Sequence, residues 1–140
     1  MLTTLLALIV TAAPGAGPSA TPDASMLRYP DIGKTDIVFA FQGNLWLVPK
    51  EGGTARPLTT TTGEKSGPRF SPDGSKIAFV ASYDGNRDIY VMPAAGGLPL
   101  RVTHHPTEET VSEWTTDGSL VFSADGMGLS RTDRLYRVKE

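Results

Sequence analysis

Apolar residues fall in short runs of three to six positions, set off by clusters of Gly, Pro, Asp and Ser. Residues 37–41, 45–48, 76–81, 89–92 and 120–122 are such runs, each too short for a globular helix and rich in Val, Ile, Phe and Tyr. Residues 76–81 and 89–92 are apolar at both alternating sets of positions. That pattern predicts strands covered on both faces by neighbouring sheets. More polar segments at 56–59 and 99–103 follow, as expected of strands nearer solvent. Ser71-Pro72-Asp73-Gly74 is a tight-turn sequence. Its Pro presets φ at the second turn position and its Gly accepts a positive φ. No helix signal occurs in residues 26–140.

The runs repeat. Asn44-Leu45-Trp46-Leu47-Val48-Pro49, with Gly52-Gly53 after it, returns 44 residues later as Asp88-Ile89-Tyr90-Val91-Met92-Pro93 with Gly96-Gly97. Phe70-Ser71-Pro72-Asp73-Gly74-Ser75 returns at the same offset as Trp114-Thr115-Thr116-Asp117-Gly118-Ser119. The aromatic of Trp46 and Tyr90 comes back at Tyr136 after 46 residues. A period of about 40–45 residues with four strands in each unit is that of a β-propeller blade. The fold class is therefore all-β: a partial β-propeller of about two and a half four-stranded antiparallel blades. The blades are expected at 34–62, 66–106 and 110–140 within an incomplete propeller at 26–140, the first and third being partial. Propellers close with about four to eight blades. The chain is thus expected to be part of a longer protein or a truncated reading frame.

Residues 1–25 differ from the rest. The first twenty carry no charged side chain, and an apolar stretch at 5–10 is followed by small residues. This reads as a secretory signal peptide and flexible leader, with exit points at Ala12 or Ala20. The alternative is a true start at Met26. The expected location is exported, periplasmic or secreted. The stretch is shorter than the roughly 20 apolar residues that span a bilayer, so no membrane contact is expected beyond the signal peptide. A net charge of −2 without a basic cluster argues against nucleic acid as a partner. Cysteine is absent, which excludes disulfides and thiolate metal sites.

Candidate chemistry is sparse. His104-His105 with Glu108 and Glu109 is the cluster to test for a metal or a general base. Adjacent residues of an extended chain point to opposite faces, however, and metal sites need three or four convergent ligands. A polar loop between blades is the simpler reading. Asp73, Asp84, Asp117 and Asp125 each precede Gly. Calcium is conceivable there, but Asp-Gly is a standard turn pair. Trp46, Tyr90 and Tyr136 recur at one place in each blade, which fits core packing better than a ligand cage. No Gly-x-Ser-x-Gly elbow and no phosphate loop occurs. No residue is assigned as catalytic, cofactor-binding or metal-ligating, and no cofactor is expected.

Met26-Leu27-Arg28-Tyr29-Pro30-Asp31-Ile32, followed by Gly43-Asn44-Leu45-Trp46-Leu47-Val48-Pro49 and Gly52-Gly53, resembles the start of tricorn-type proteases. So do Pro68-Arg69-Phe70-Ser71-Pro72-Asp73-Gly74 and Tyr83-Asp84-Gly85-Asn86 with Tyr90-Val91-Met92-Pro93. The resemblance runs from Met26 to about Phe122. It implies a six-bladed propeller of WD40-like repeats, further domains, and a serine peptidase domain far beyond the third blade. It also implies that the propeller admits peptide or protein substrate, its partners being the remaining blades and the peptidase domain. The Phe-Ser-Pro-Asp-Gly and Gly-Gly elements are shared with TolB-like propellers, which bind proteins without catalysis, and with prolyl-oligopeptidase relatives. Thr115-Thr116 in place of Ser-Pro, and the longer segment at 123–134, depart from the pattern.

Overall fold

The computed structural model describes residues 26–104, 106–125 and 133–139. The leader expected at 1–25 and the loop at 126–132 lie outside the described residues. The strands are β1 (Arg28–Ile32), β2 (Asp36–Phe41), β3 (Asn44–Pro49), β4 (Arg56–Pro57), β5 (Lys65–Phe70) and β6 (Lys76–Ala81). They continue as β7 (Asp88–Pro93), β8 (Leu100–Arg101), β9 (Glu109–Trp114), β10 (Ser119–Asp125) and β11 (Asp133–Lys139). The described residues contain no α-helix.

The strands form three antiparallel meanders: β1-β2-β3-β4, β5-β6-β7-β8, and β9-β10-β11. Consecutive strands are joined by short turns, so each neighbours the next and no crossover is needed. Between sheets, β1 packs on β5 and β5 packs on β9. The first strand of every sheet therefore lies at the inner edge, and the sheets fan outward from it like blades. Together they are an unclosed part of a propeller.

Two apolar seams hold the fan. In the first, Val38, Ala40, Leu45 and Leu47 of sheet one meet Ile77, Phe79, Ala81, Tyr90 and Met92 of sheet two. In the second, Ala78, Val80, Ile89 and Val91 of sheet two meet Val111, Trp114, Leu120, Phe122 and Ala124 of sheet three. Sheet two is thus covered on both faces, as the unbroken apolar runs of β6 and β7 require. Each large side chain so buried contributes roughly 1.5–3 kcal/mol.

One strand lies outside the span expected for the first blade. β1 pairs with β2 through Arg28↔Ala40 and Ile32↔Ile37, so the blade begins at Arg28 rather than near residue 34. β1 does not alternate cleanly, because its register shifts between Arg28 and Asp31. β5 shifts in the same way between Ser66 and Arg69. At the end of the loop leading into β5, Gly63 has φ +85°, and a Cβ there would lie 2.4 Å from the Ser82 carbonyl oxygen. Glycine suits both the conformation and the close approach.

Candidate functional site

The inner wall formed by β1, β5 and β9 is where the fan converges. Register fixes which residues are equivalent along it. Asp31 pairs with Val38, Arg69 with Ala78, and Glu113 with Val121. The same inner position therefore carries a carboxylate, a guanidinium and a carboxylate in successive sheets.

These residues also tie the sheets together. The Phe70 N–H donates to Asp31 Oδ2 at 2.7 Å, from sheet two back to sheet one. The Trp114 indole N–H donates to the Arg69 carbonyl at 3.1 Å, from sheet three back to sheet two. Glu113, with no such link, accepts the Trp114 N–H at 3.0 Å. Between Asp31 and Glu113 at one end of the wall lies a hollow of about 320 Å³, edged also by Lys34 and Phe70. At the other end Met26, Arg28, Tyr29, Phe41 and Glu64 line a second hollow of about 240 Å³. Tyr29 is 50% exposed and holds φ +52°, a strained value for a bulky residue.

Further out, each seam is pinned by a buried polar cluster at a spacing of 44. In the first seam the Leu45 N–H donates to Thr59 Oγ1 at 3.0 Å, and the Thr59 hydroxyl donates to Asn44 Oδ1 at 3.2 Å. Lys65 Nζ donates to Asn44 Oδ1 at 3.2 Å and to the carbonyls of Thr62 at 3.1 Å and Gly63 at 2.8 Å. It also donates to the Thr61 carbonyl and lies 5.3 Å from the Tyr83 ring centre. Burial lowers the Lys65 pKa from the ordinary lysine value. In the second seam the Ile89 N–H donates to Thr103 Oγ1 at 2.9 Å, and the Thr103 hydroxyl donates to Glu109 Oε2. Asp88 stands where Asn44 does, and pairs with Arg101 at 2.7 Å. The two clusters share geometry but not charge.

The residues singled out from sequence are placed as follows. His104 is exposed, Glu108 is exposed, and Glu109 is 1% exposed and bonded to Thr103. His105 lies outside the described residues. No group of three or more His, Cys, Asp or Glu that could hold a metal ion occurs among the described residues. Asp73 accepts from the Ser71 hydroxyl at 2.6 Å, the Ser75 N–H at 3.0 Å and the Ser75 hydroxyl at 2.7 Å. These bonds hold its carboxyl far below the usual carboxylate range. Asp117 accepts from Thr115, Ser119 and Arg137 in the equivalent turn, and its pKa falls to about 2, led by the Thr115 hydroxyl. Both aspartates are turn residues. Asp84 lies 3.9 Å from Arg101, and the Asp125 carbonyl accepts the Thr107 hydroxyl at 3.0 Å. Tyr90 is buried in the first seam, and Tyr136 packs at the margin of the second. Trp46 is half-buried and belongs to neither.

A fan of four-stranded meanders with a 44-residue repeat is shared by many propellers, so sequence likeness decides among them. The family described as the tricorn protease N-terminal beta propeller domain matches residues 24–140. The chain belongs to this family. Tricorn protease homolog 1 of Streptomyces coelicolor is 34% identical over 96 residues, covering 68% of this chain and 9% of that protein. The crystal structure of the tricorn protease superposes at a TM-score of 0.71 with 28% identity, over 81% of this chain and 12% of that one. TolB from Acinetobacter baumannii superposes at 0.67 with 27% identity, over 79% of this chain and 29% of that one. The chain thus spans about a tenth of the length of its tricorn relatives. Among tricorn N-terminal propellers and their neighbours it stands as a three-sheet portion, and its relatives carry much more polypeptide.

The charged inner wall was not foreseen from sequence. Asp31 and Arg69 are 38 residues apart, off the 44-residue period, because the first blade has shorter connections. A search for a charged residue at the next-to-last position of each inner strand would have found all three.

Proposed function

We propose that the chain is the opening part of a propeller that admits and positions peptide substrate for a serine peptidase domain carried by the same longer polypeptide. In this reading it hydrolyses nothing itself. The observation that carries it is the inner wall. Three strands converge there with their charged side chains at one register, and a half-exposed tyrosine stands at one end. An extended peptide passing along that wall would find alternating charges and polar strand edges. The family membership supports a proteolytic parent. The apolar leader supports export, which recovery of a processed N-terminus from the periplasm or medium would test.

The experiment is a titration of the isotope-labelled chain with a tryptic digest of casein, followed by NMR. Shifts confined to β1, β5 and β9, with no new peptide ends produced, are expected. Shifts confined to β4 and β8, or none at all, would overturn the reading. A second reading is favoured by the superposition on TolB: a propeller that binds protein partners in the cell envelope without catalysis. The encoded polypeptide separates the two. A peptidase domain after the last blade supports the first reading, and blades alone support the second.

A further inference from the structure

Three Asp-Gly pairs lie among the described residues: Asp73-Gly74, Asp84-Gly85 and Asp117-Gly118. Glycine has no Cβ to shield its amide nitrogen, so that nitrogen can attack the carboxyl carbon of the aspartate before it. The attack needs two freedoms. The carboxyl must leave its partners and swing onto the main chain, and the amide must be free of its own acceptor.

Two of the pairs have neither. Asp73 accepts from the Ser71 hydroxyl at 2.6 Å, the Ser75 N–H at 3.0 Å and the Ser75 hydroxyl at 2.7 Å. The Gly74 N–H donates to the Ser71 carbonyl at 2.8 Å. Asp117 accepts from Thr115, Ser119 and Arg137, and the Gly118 N–H donates to the Thr115 carbonyl at 3.0 Å. The bonds that lower both pKa values also disfavour the neutral acid, the form whose hydroxyl can leave.

The pair in the turn between β6 and β7 is held at neither end. The Asp84 side chain is 75% exposed, and its charged neighbour, Arg101 Nη1, is 3.9 Å away. Arg101 is already paired with Asp88 at 2.7 Å, and an exposed ion pair restrains little. Among the described residues the Gly85 N–H makes no backbone hydrogen bond. Nothing stands within 4 Å of the place a Gly85 Cβ would take.

We propose that Asp84-Gly85 is a site of spontaneous isoaspartate formation, ahead of the other two pairs. The Gly85 nitrogen bonds to Asp84 Cγ, the carboxyl hydroxyl leaves with the amide hydrogen as water, and a succinimide ring remains. Water then adds to either ring carbonyl. Opening on the Cα side breaks the original peptide bond and leaves the main chain running through Cβ and Cγ, with the α-carboxylate as the new side group. The opposite opening restores aspartate. No oxidant or cofactor takes part. The new carboxylate, exposed in a turn, fits a protein-isoaspartate methyltransferase, which esterifies such a group from a sulfonium methyl donor. The site is independent of the role proposed for the inner wall.

The test holds the 140-residue chain folded at neutral pH for weeks, beside a sample in urea, and digests both with trypsin. The peptides 70–76, 77–87 and 102–131 separate Asp73, Asp84 and Asp117. Isoaspartate is located by electron-transfer fragmentation and counted by enzymatic methylation. In the folded chain it should build up at Asp84 at least about tenfold faster than at Asp73 or Asp117, the factor that one charge-assisted hydrogen bond imposes on opening. In urea the three rates should converge. Equal rates in the folded chain, or a lead at Asp73 or Asp117, overturn the proposal. A folded chain unchanged at Asp84 while the urea sample reacts there overturns it too. A lead at Asp84 of the same size in urea would assign the preference to local sequence and overturn the structural account.

Discussion

The indole N–H of Trp114 reaches the carbonyl of Arg69, 45 residues earlier, and so joins the third sheet to the second at the inner wall. Trp114 is 7% exposed and also fills the second seam. Trp114→Phe keeps an aromatic ring and removes the donor, leaving the Arg69 carbonyl without it. A loss of about 1–2 kcal/mol is expected, read as a lower urea midpoint. Trp114→Ala should cost roughly 3–5 kcal/mol, because a cavity is added to the lost bond. Equal midpoints for wild type and Trp114→Phe would mean that the bond contributes nothing to the joint.

The two turn aspartates set the acid response. An unfolded aspartate titrates near 3.9. Asp117 titrates at about 2 in the folded chain, and Asp73 is depressed further. A depressed carboxylate stabilises the fold above its unfolded value and loses that contribution as pH falls towards its folded value. Melting temperature should therefore decline from about pH 4 downward. Asp73→Asn and Asp117→Asn should each melt lower at neutral pH and show a shallower decline between pH 4 and 2. An unchanged slope in both variants would show that the acid response arises elsewhere.

The sheet order was legible because propeller strands are local: each pairs with the next, and the 44-residue offset aligns Asn44 with Asp88 and Phe70 with Trp114. Burial of Ile77 to Ala81 on both faces followed from the absence of alternation. β1 was not legible. Its register shift breaks the alternation, and Arg28, Tyr29 and Pro30 are exposed, so it lacks an apolar pattern. The cross-sheet bonds were hidden for another reason. Asp31 meets Phe70 through a backbone N–H, and a backbone donor has no sequence signature. Lys65 at 1% exposure was also unforeseen, since a lysine opening a strand normally stays in water.

That lysine yields a third prediction. Its ammonium gathers the carbonyls of Thr61, Thr62 and Gly63 together with Asn44 Oδ1, closing the loop between the first and second sheets. Lys65→Met keeps the length of the side chain and removes the ammonium from three loop carbonyls, while Asn44 Oδ1 keeps the Thr59 hydroxyl. Loss of these charge-assisted bonds to a part-buried loop should cost about 1–3 kcal/mol. Hydrogen exchange should rise first in residues 59–65. A Lys65→Met chain as stable as wild type would mean that water replaces the ammonium without penalty.

Tyr29 and Gly67 occupy matching places, each directly before a proline in the irregular stretch of an inner strand, with φ +52° and +58°. Gly67 adopts this conformation freely, whereas an L-residue with a side chain pays roughly 1–2 kcal/mol for it. Tyr29 is half exposed, so its ring recovers little by burial. Tyr29→Gly should accordingly stabilise the fold by about 0.5–1 kcal/mol, after the greater freedom of glycine in the unfolded chain is subtracted. Strain of this size persists at binding sites because the side chain it places is used. The same variant should then bind peptide more weakly along the inner wall. Thermal unfolding and peptide titration of one sample read both effects. A gain in stability with a loss of binding supports a tyrosine held in strain for recognition. A gain in stability with unchanged binding would remove Tyr29 from the wall's working surface and leave its conformation a consequence of the strand irregularity alone.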